Sequence, residues 1–190
     1  MRAVGTFWIV AFSLLAVWYY SVCLAKPKMH NFRVTRIECE DLDPRVVYNY
    51  TCTTRNISRT LRAHNIRITF YPNMTFNDMH VQINYNHKVN NVYRRSLINM
   101  EEDFCGFLAG TSRSVLLKKL WAFVKRSSNL PDSCPIVGFV NVTDLVFEDT
   151  FLPSALPAGE ARIDIHVRNG TKRISMVMAK FFIEIKPKGF

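Results

Sequence analysis

Hydrophobic and polar residues alternate along much of this chain, the period of a strand that buries one face and leaves the other wet. Ile66, Ile68 and Phe70 alternate with Arg67 and Thr69, and Met79, Val81, Ile83 and Tyr85 with His80, Gln82 and Asn84. Farther on, Ile163, Ile165 and Val167 alternate with Arg162, Asp164, His166 and Arg168, after which Asn169-Gly170 leads into Ile174, Met176 and Met178. Asn-Gly suits a tight hairpin, because both of its residues accept the positive φ that a type I′ turn demands. Weaker strand patterns span 32–40, 46–54, 93–99 and 136–147.

Two stretches depart from this period. Over Val115–Arg126 the apolar residues Leu116, Leu117, Leu120, Trp121, Phe123 and Val124 recur at three- and four-residue spacing, with Lys118, Lys119, Lys125 and Arg126 on the remaining face. That spacing predicts a short amphipathic helix, capped by Thr111, Ser112 or Ser114 and ended by Asn129-Leu130-Pro131-Asp132. At the N-terminus Arg2 precedes an almost unbroken apolar run, Phe7 to Tyr20, and small Ala25 stands before charged Lys26. This is the anatomy of a secretory signal peptide over 1–25, with an apolar core short for a membrane span. The remainder, 26–190, is expected to be a single secreted domain.

Many short strands, turns between them and one helix predict a mainly β protein, a two-sheet antiparallel β-sandwich with one short helix. An ordinary immunoglobulin domain is disfavoured. No tryptophan lies between two widely spaced cysteines placed to bridge the sheets, because Trp121, the one Trp after the leader, is on the helix.

A secreted chain changes the reading of cysteine and asparagine. Cys39, Cys52, Cys105 and Cys134 remain after the leader, an even number in an oxidising compartment, so two disulfides are expected. Three connectivities exist; Cys39 with Cys52 and Cys105 with Cys134 is preferred because each pair is local and brackets one supersecondary unit. Asn49, Asn56, Asn73, Asn141 and Asn169 stand in the Asn-x-Ser/Thr acceptor pattern, which predicts a glycoprotein with those positions on its surface. The formal charge of +10 is spread over small basic clusters without a polybasic run. It reads first as ordinary solvation, with attraction to an anionic lipid or glycan surface as the functional alternative, and points away from nucleic acid in a secreted protein.

No catalytic constellation is signalled. Gly110-Thr111-Ser112-Arg113-Ser114 lacks the Gly-x-Ser-x-Gly elbow, and its hydroxyls suit helix capping better. His64, His80, His87 and His166 lack ligand spacing and read as solvated, while Glu101-Glu102-Asp103 reads as a turn beside Cys105. Neither cofactor nor metal is expected, and the protein is not expected to be an enzyme. What stands out is apolar supply, 14 Phe and 7 Met, which serves equally for a filled core or for the wall of a cavity between splayed sheets.

The order Asp103-Phe104-Cys105-Gly106-Phe107-Leu108, a helix, Asn129, Cys134-Pro135-Ile136-Val137-Gly138, Leu152-Pro153 and Leu156-Pro157-Ala158-Gly159-Glu160 resembles an insect family of small secreted proteins that includes chemosensory proteins of the CheB type. More distantly it is similar to the ML lipid-recognition sandwiches, among them the ganglioside activator and the Niemann-Pick type C sterol carrier. The resemblance implies an immunoglobulin-like two-sheet cup that holds a lipid or other hydrophobic small molecule without covalent chemistry. A membrane receptor or an anionic surface is the further partner expected of a secreted basic chain. The disulfide layout does not carry over, since 163–185 holds no cysteine to tie the C-terminal strands to the N-terminus. The ligand is expected against the inward residues Ile68, Phe70, Val81, Ile83, Ile165 and Met176 and against the helix residues Leu120 and Phe123. The alternative is an extracellular interaction module with a filled core.

Overall fold

The computed structural model describes residues 30–40, 42–59, 61–147, 156–170 and 174–187. The leader expected over 1–25 lies outside them. Strands β1 (His30–Cys39), β10 (Ser175–Pro187), β9 (Gly159–Asn169), β5 (Met79–Val89) and β6 (Val92–Asp103) form one antiparallel sheet in that spatial order. Facing it is a smaller antiparallel sheet of β2 (Val47–Asn56), β3 (Arg62–Phe70) and β8 (Phe139–Leu145), and β4 (Thr75–Phe76) pairs with β7 (Ile136–Val137) in a short ribbon. The fold is a β-sandwich.

Period-2 alternation sets the faces. Val81, Ile83 and Tyr85 of β5 and Phe181, Ile183 and Ile185 of β10 are buried on the inner face of the large sheet, opposite Ile66, Ile68 and Phe70 of β3. Five strands cannot be covered by three, and the uncovered inner face is met by helix α2 (Val115–Lys125). Ser114 caps it by accepting from the Leu117 N–H at 3.4 Å, so the helix starts and stops within a residue of its predicted span. Its apolar side faces the sandwich interior, where Leu117 is 2% exposed.

Both preferred disulfides are present. Cys39–Cys52 joins β1 of the large sheet to β2 of the small one, and Cys105–Cys134 joins the start of the helical region to the segment before β7. Closing loops of these lengths contributes about 3 and about 3.6 kcal/mol in the chain-entropy picture.

Several local features depart from the sequence expectation. The strand expected over 136–147 is interrupted at Gly138, whose φ of +76° turns the chain between β7 and β8. A bulge between Ser175 and Val177 changes the phase of β10: Met176 is fully buried, while Met178 pairs with His166 on the outer face and Ala179 takes the inner position. Residues 171–173 of the expected Asn169-Gly170 hairpin lie outside the described residues, though the Asn169 N–H donates to the Ile174 carbonyl at 3.0 Å. A hairpin that the sequence reading passed over joins β5 to β6 through Asn90 and Asn91, with φ of 51° and 64°. Asparagine tolerates that region better than most residues, and two in succession form the primed turn that matches strand twist.

Asp103 is not in a turn, as expected, but ends β6 and caps a short helix, α1 (Phe104–Leu108), by accepting from the Gly106 N–H at 2.9 Å. A Cβ on Gly106 would collide with the Asp103 carboxylate and the Thr111 hydroxyl, which explains the glycine beside Cys105. Phe104 and Phe107 of α1 pack edge-on against Trp121 of α2, with centroids 5.5 and 6.3 Å away.

Candidate functional site

Between the two sheets and α2 lies an apolar space in two lobes. The larger, about 160 Å³, is walled by Ile68 and Phe70 of β3, Val81 of β5, Ile165 of β9, Met176 and Ala179 of β10, and by Leu117, Leu120, Trp121 and Val124 of α2. The smaller, about 100 Å³, is walled by Ile83 and Tyr85 of β5, Ile98 of β6, Leu116 of α2, and Phe32 and Val34 of β1. Leu120, Val124, Leu145, Ile165 and Phe181 belong to both walls and so form the waist between them. Ala179, on the inner face of β10, fills little volume and so leaves room in the larger lobe.

Of the eight residues expected at a ligand, Ile68, Phe70, Val81, Leu120, Ile165 and Met176 border the larger lobe, and Ile83 the smaller. Phe123 borders neither. Its ring packs at 4.9 Å on Phe147, which is itself part of the smaller lobe's wall. Sequence reading did not single out Tyr85, Ile98, Leu117 or Ala179 as wall residues. Tyr85 carried the alternation signal and Ile98 lay within the weaker strand over 93–99, whereas an alanine at a cavity wall leaves no mark in the sequence.

The smaller lobe reaches toward solvent where Ile98 and Leu116, exposed large apolar side chains, flank the gap between β6 and α2. At the β1 end, Phe32, Val34 and Phe147 separate it from an open recess of about 580 Å³, largely apolar in its lining, that also touches Arg33, Arg62, His64, Glu184 and Lys186. Glu184 there accepts from Arg33 at 3.0 Å, and Lys186 lies 3.0 Å from its other oxygen. The Lys186 ammonium and the Arg33 guanidinium hold the Glu184 carboxyl below the usual carboxylate range.

The histidines are not all solvated as expected. His64 is 1% exposed, because β3 begins at Arg62 and carries His64 inward in phase with Ile66 and Ile68. A polar relay crosses the sandwich there: the Ile37 N–H donates to Thr54 Oγ1 at 3.3 Å, and that hydroxyl lies 3.1 Å from His64 Nδ1. Burial, helped by the nearby Arg62 cation, pushes the His64 pKa down to about 4, so the ring is neutral at physiological pH. His80 lies 3.3 Å from Asp78 at the surface, and His166 meets the Ser175 hydroxyl at 2.9 Å. Among the described residues no three His, Cys, Asp or Glu side chains gather to hold a metal, and no helix is long and apolar enough to cross a membrane.

The acceptor asparagines Asn49, Asn56 and Asn73 are exposed, and Asn141 and Asn169 are half-buried. None borders either apolar lobe.

No curated protein matches this sequence. Among solved structures, chicken MD-1, crystallised in complex with lipid IVa, aligns with a TM-score of 0.37 and 13% sequence identity over 83% of this chain and 98% of that one. Residues 79–163, from β5 through α1, α2, β7 and β8 into β9, match the family described as Protein of unknown function (DUF1091).

Proposed function

We propose that this protein is a secreted, glycosylated, non-catalytic carrier that holds a hydrophobic small molecule between its two sheets. The observation that carries the reading is the two-lobed space itself. Trp121 apart, every side chain walling the larger lobe is hydrocarbon or thioether, so the lobe favours an apolar occupant through removal of apolar surface from water. Met176 and the residues of α2 supply adaptable walls, and the gap beside Ile98 and Leu116 supplies an approach. A leader over 1–25, two disulfides and surface acceptor asparagines support secretion, and the resemblance to CheB-type proteins favours a chemosensory role.

Native mass spectrometry with organic extraction, on protein secreted from insect cells, tests the reading. A reproducible apolar adduct at one per chain is expected. Ala179→Leu, which places three further carbons in the larger lobe, is expected to fold with a stability cost of at most about 1–3 kcal/mol and to lose the adduct. Wild-type protein that is folded, disulfide-bonded and empty, and stays empty when offered apolar molecules, would overturn the carrier reading.

A second reading, an extracellular interaction module partnering a receptor, draws on the exposed aromatic side chains of Tyr48, Tyr50, Tyr71 and Phe139. Its expected signature is saturable protein binding that Ala179→Leu leaves unchanged.

A further inference from the structure

The open recess at the β1 end is a second concavity, set apart from the space between the sheets, and its volume of about 580 Å³ falls within the range of small-molecule sites. β1 is the outermost strand of the large sheet, so one edge of its backbone has no neighbouring strand, and the recess lies along that edge from Asn31 to Val34. Phe32, Val34, Leu61, Val146 and Phe147 give it an apolar lining. Arg33, Arg62 and Lys186 bring three cations to it against one carboxylate, Glu184. That carboxylate is taken: Arg33 lies 3.0 Å from one of its oxygens and Lys186 3.0 Å from the other. Arg62 is left without one. It is half-buried, one arm of its guanidinium donates to the Thr35 carbonyl on the β1 edge, and among the described residues no carboxylate pairs with it. His64, the remaining titratable side chain on the recess, is buried and neutral at physiological pH.

We infer that this recess is a binding site for an amphipathic carboxylate, with the carboxylate group on the Arg62 guanidinium and the hydrocarbon chain along Phe32, Leu61, Val146 and Phe147. The site goes beyond the carrier reading and does not rest on it, since neither Arg62 nor Leu61 borders either apolar lobe. Head and tail are each required by a different part of the lining. A partly desolvated guanidinium offers a planar fork that fits the two oxygens of a carboxylate, and a neutral head would leave its charge unpaired. An anion without a tail would leave the apolar lining wet and would gain little from a cation that water screens.

The test is calorimetric titration at pH 7.5 with three probes, octanoate, 1-octanol and acetate, on wild type, Arg62→Gln, Leu61→Asp and Ala179→Leu. Gln keeps a donor for the Thr35 carbonyl while removing the charge, and Leu61 is 40% exposed, so an aspartate there adds a repelling carboxylate at the recess without emptying the core. Wild type is expected to bind one octanoate per chain, at least ten-fold more tightly than acetate. Arg62→Gln is expected to weaken octanoate by about ten-fold or more, and Leu61→Asp to abolish its binding. Ala179→Leu, which fills the larger lobe, is expected to leave octanoate binding unchanged. No octanoate binding by wild type, or equal binding by wild type and Arg62→Gln, overturns the site; if Arg62→Gln does not fold, Leu61→Asp decides in its place. Acetate binding as tightly as octanoate overturns the role of the apolar lining, and 1-octanol displacing octanoate at equal concentration overturns the role of the charge. Octanoate binding lost in Ala179→Leu but kept in Arg62→Gln would place the molecule between the sheets, which sinks the recess while supporting the carrier reading.

Discussion

His64 is a basic side chain the fold keeps uncharged, and that choice has a measurable cost in acid. Its pKa is about 4 in the folded protein and 6.5 when unperturbed, so the unfolded chain binds the proton more tightly. The sign follows: the stability linked to His64 is fully present above pH 6.5 and is lost as the pH falls toward 4. The loss between pH 7.5 and 4.5 is expected to be on the order of 2–3 kcal/mol. Urea unfolding of wild type and His64→Phe at both pH values checks it. The two proteins should differ in pH dependence by that amount, and parallel curves would clear His64 of the role. Sequence alone could not foresee this, since His64 lies before the visible alternation at Ile66 and only pairing with β2 and β8 extends the strand back to Arg62. The outer face of the large sheet teaches a related lesson. Asn84, Asn86 and Asp164 alternate as a solvent face should, yet all three are buried. Arg162 donates to the Asp164 carboxylate at 2.6 and 2.9 Å and lies 5.0 Å from the Tyr93 ring centroid, while Arg36 stands 3.9 Å over Phe182. Alternation identifies a face; whether water reaches that face depends on the long side chains lying across it.

Elements were legible where their signal was periodic and long, and lost where it was short. The helix over 115–126 and the strands around Ile68, Ile83 and Ile165 came directly from periodicity, whereas the five residues of α1 are too few to show a period. The β10 bulge was likewise invisible, so the inward set on that strand was misjudged at Met178 and the wall residue Ala179 was missed. α1 allows a test in which two effects oppose. Helix propensity alone would make Gly106→Ala stabilising by about 1 kcal/mol. The added methyl, however, strikes the Asp103 carboxylate that caps the helix and the Thr111 hydroxyl that closes it, a clash worth about 1–3 kcal/mol. A net loss of stability is expected in thermal unfolding with the disulfides intact, and a gain would mean that the cap relaxes freely.

At the scale of the whole molecule, the two-sheet architecture and both disulfides followed from pattern and cysteine order, while the cavity did not, because the same Phe and Met residues would have filled a solid core. Volume is decided by how far apart the layers stand, which no single residue encodes. The layers also differ in what holds them. β5, β9 and β10 are ladder strands paired on both sides, whereas α2 itself is held by side-chain packing, with the Cys105–Cys134 link and the bonds of Ser127 and Asn129 to β8 lying beyond its ends. Amides of α2 are therefore expected to exchange with deuterium faster than those of β5, β9 and β10 in the ligand-free protein, and equal protection would argue against this ranking. The unequal strand count of the two sheets thus gives the chamber two stiff walls and one compliant one. In the carrier reading, moving a strand to admit a bulkier guest would break ladder hydrogen bonds along its length, whereas tilting the helix outward about its C-terminal end, where Ser127 and Asn129 stay bonded to β8, slides apolar side chains over one another. Guests of differing girth would be accommodated on the helical side alone, with the sheets serving as a fixed gauge.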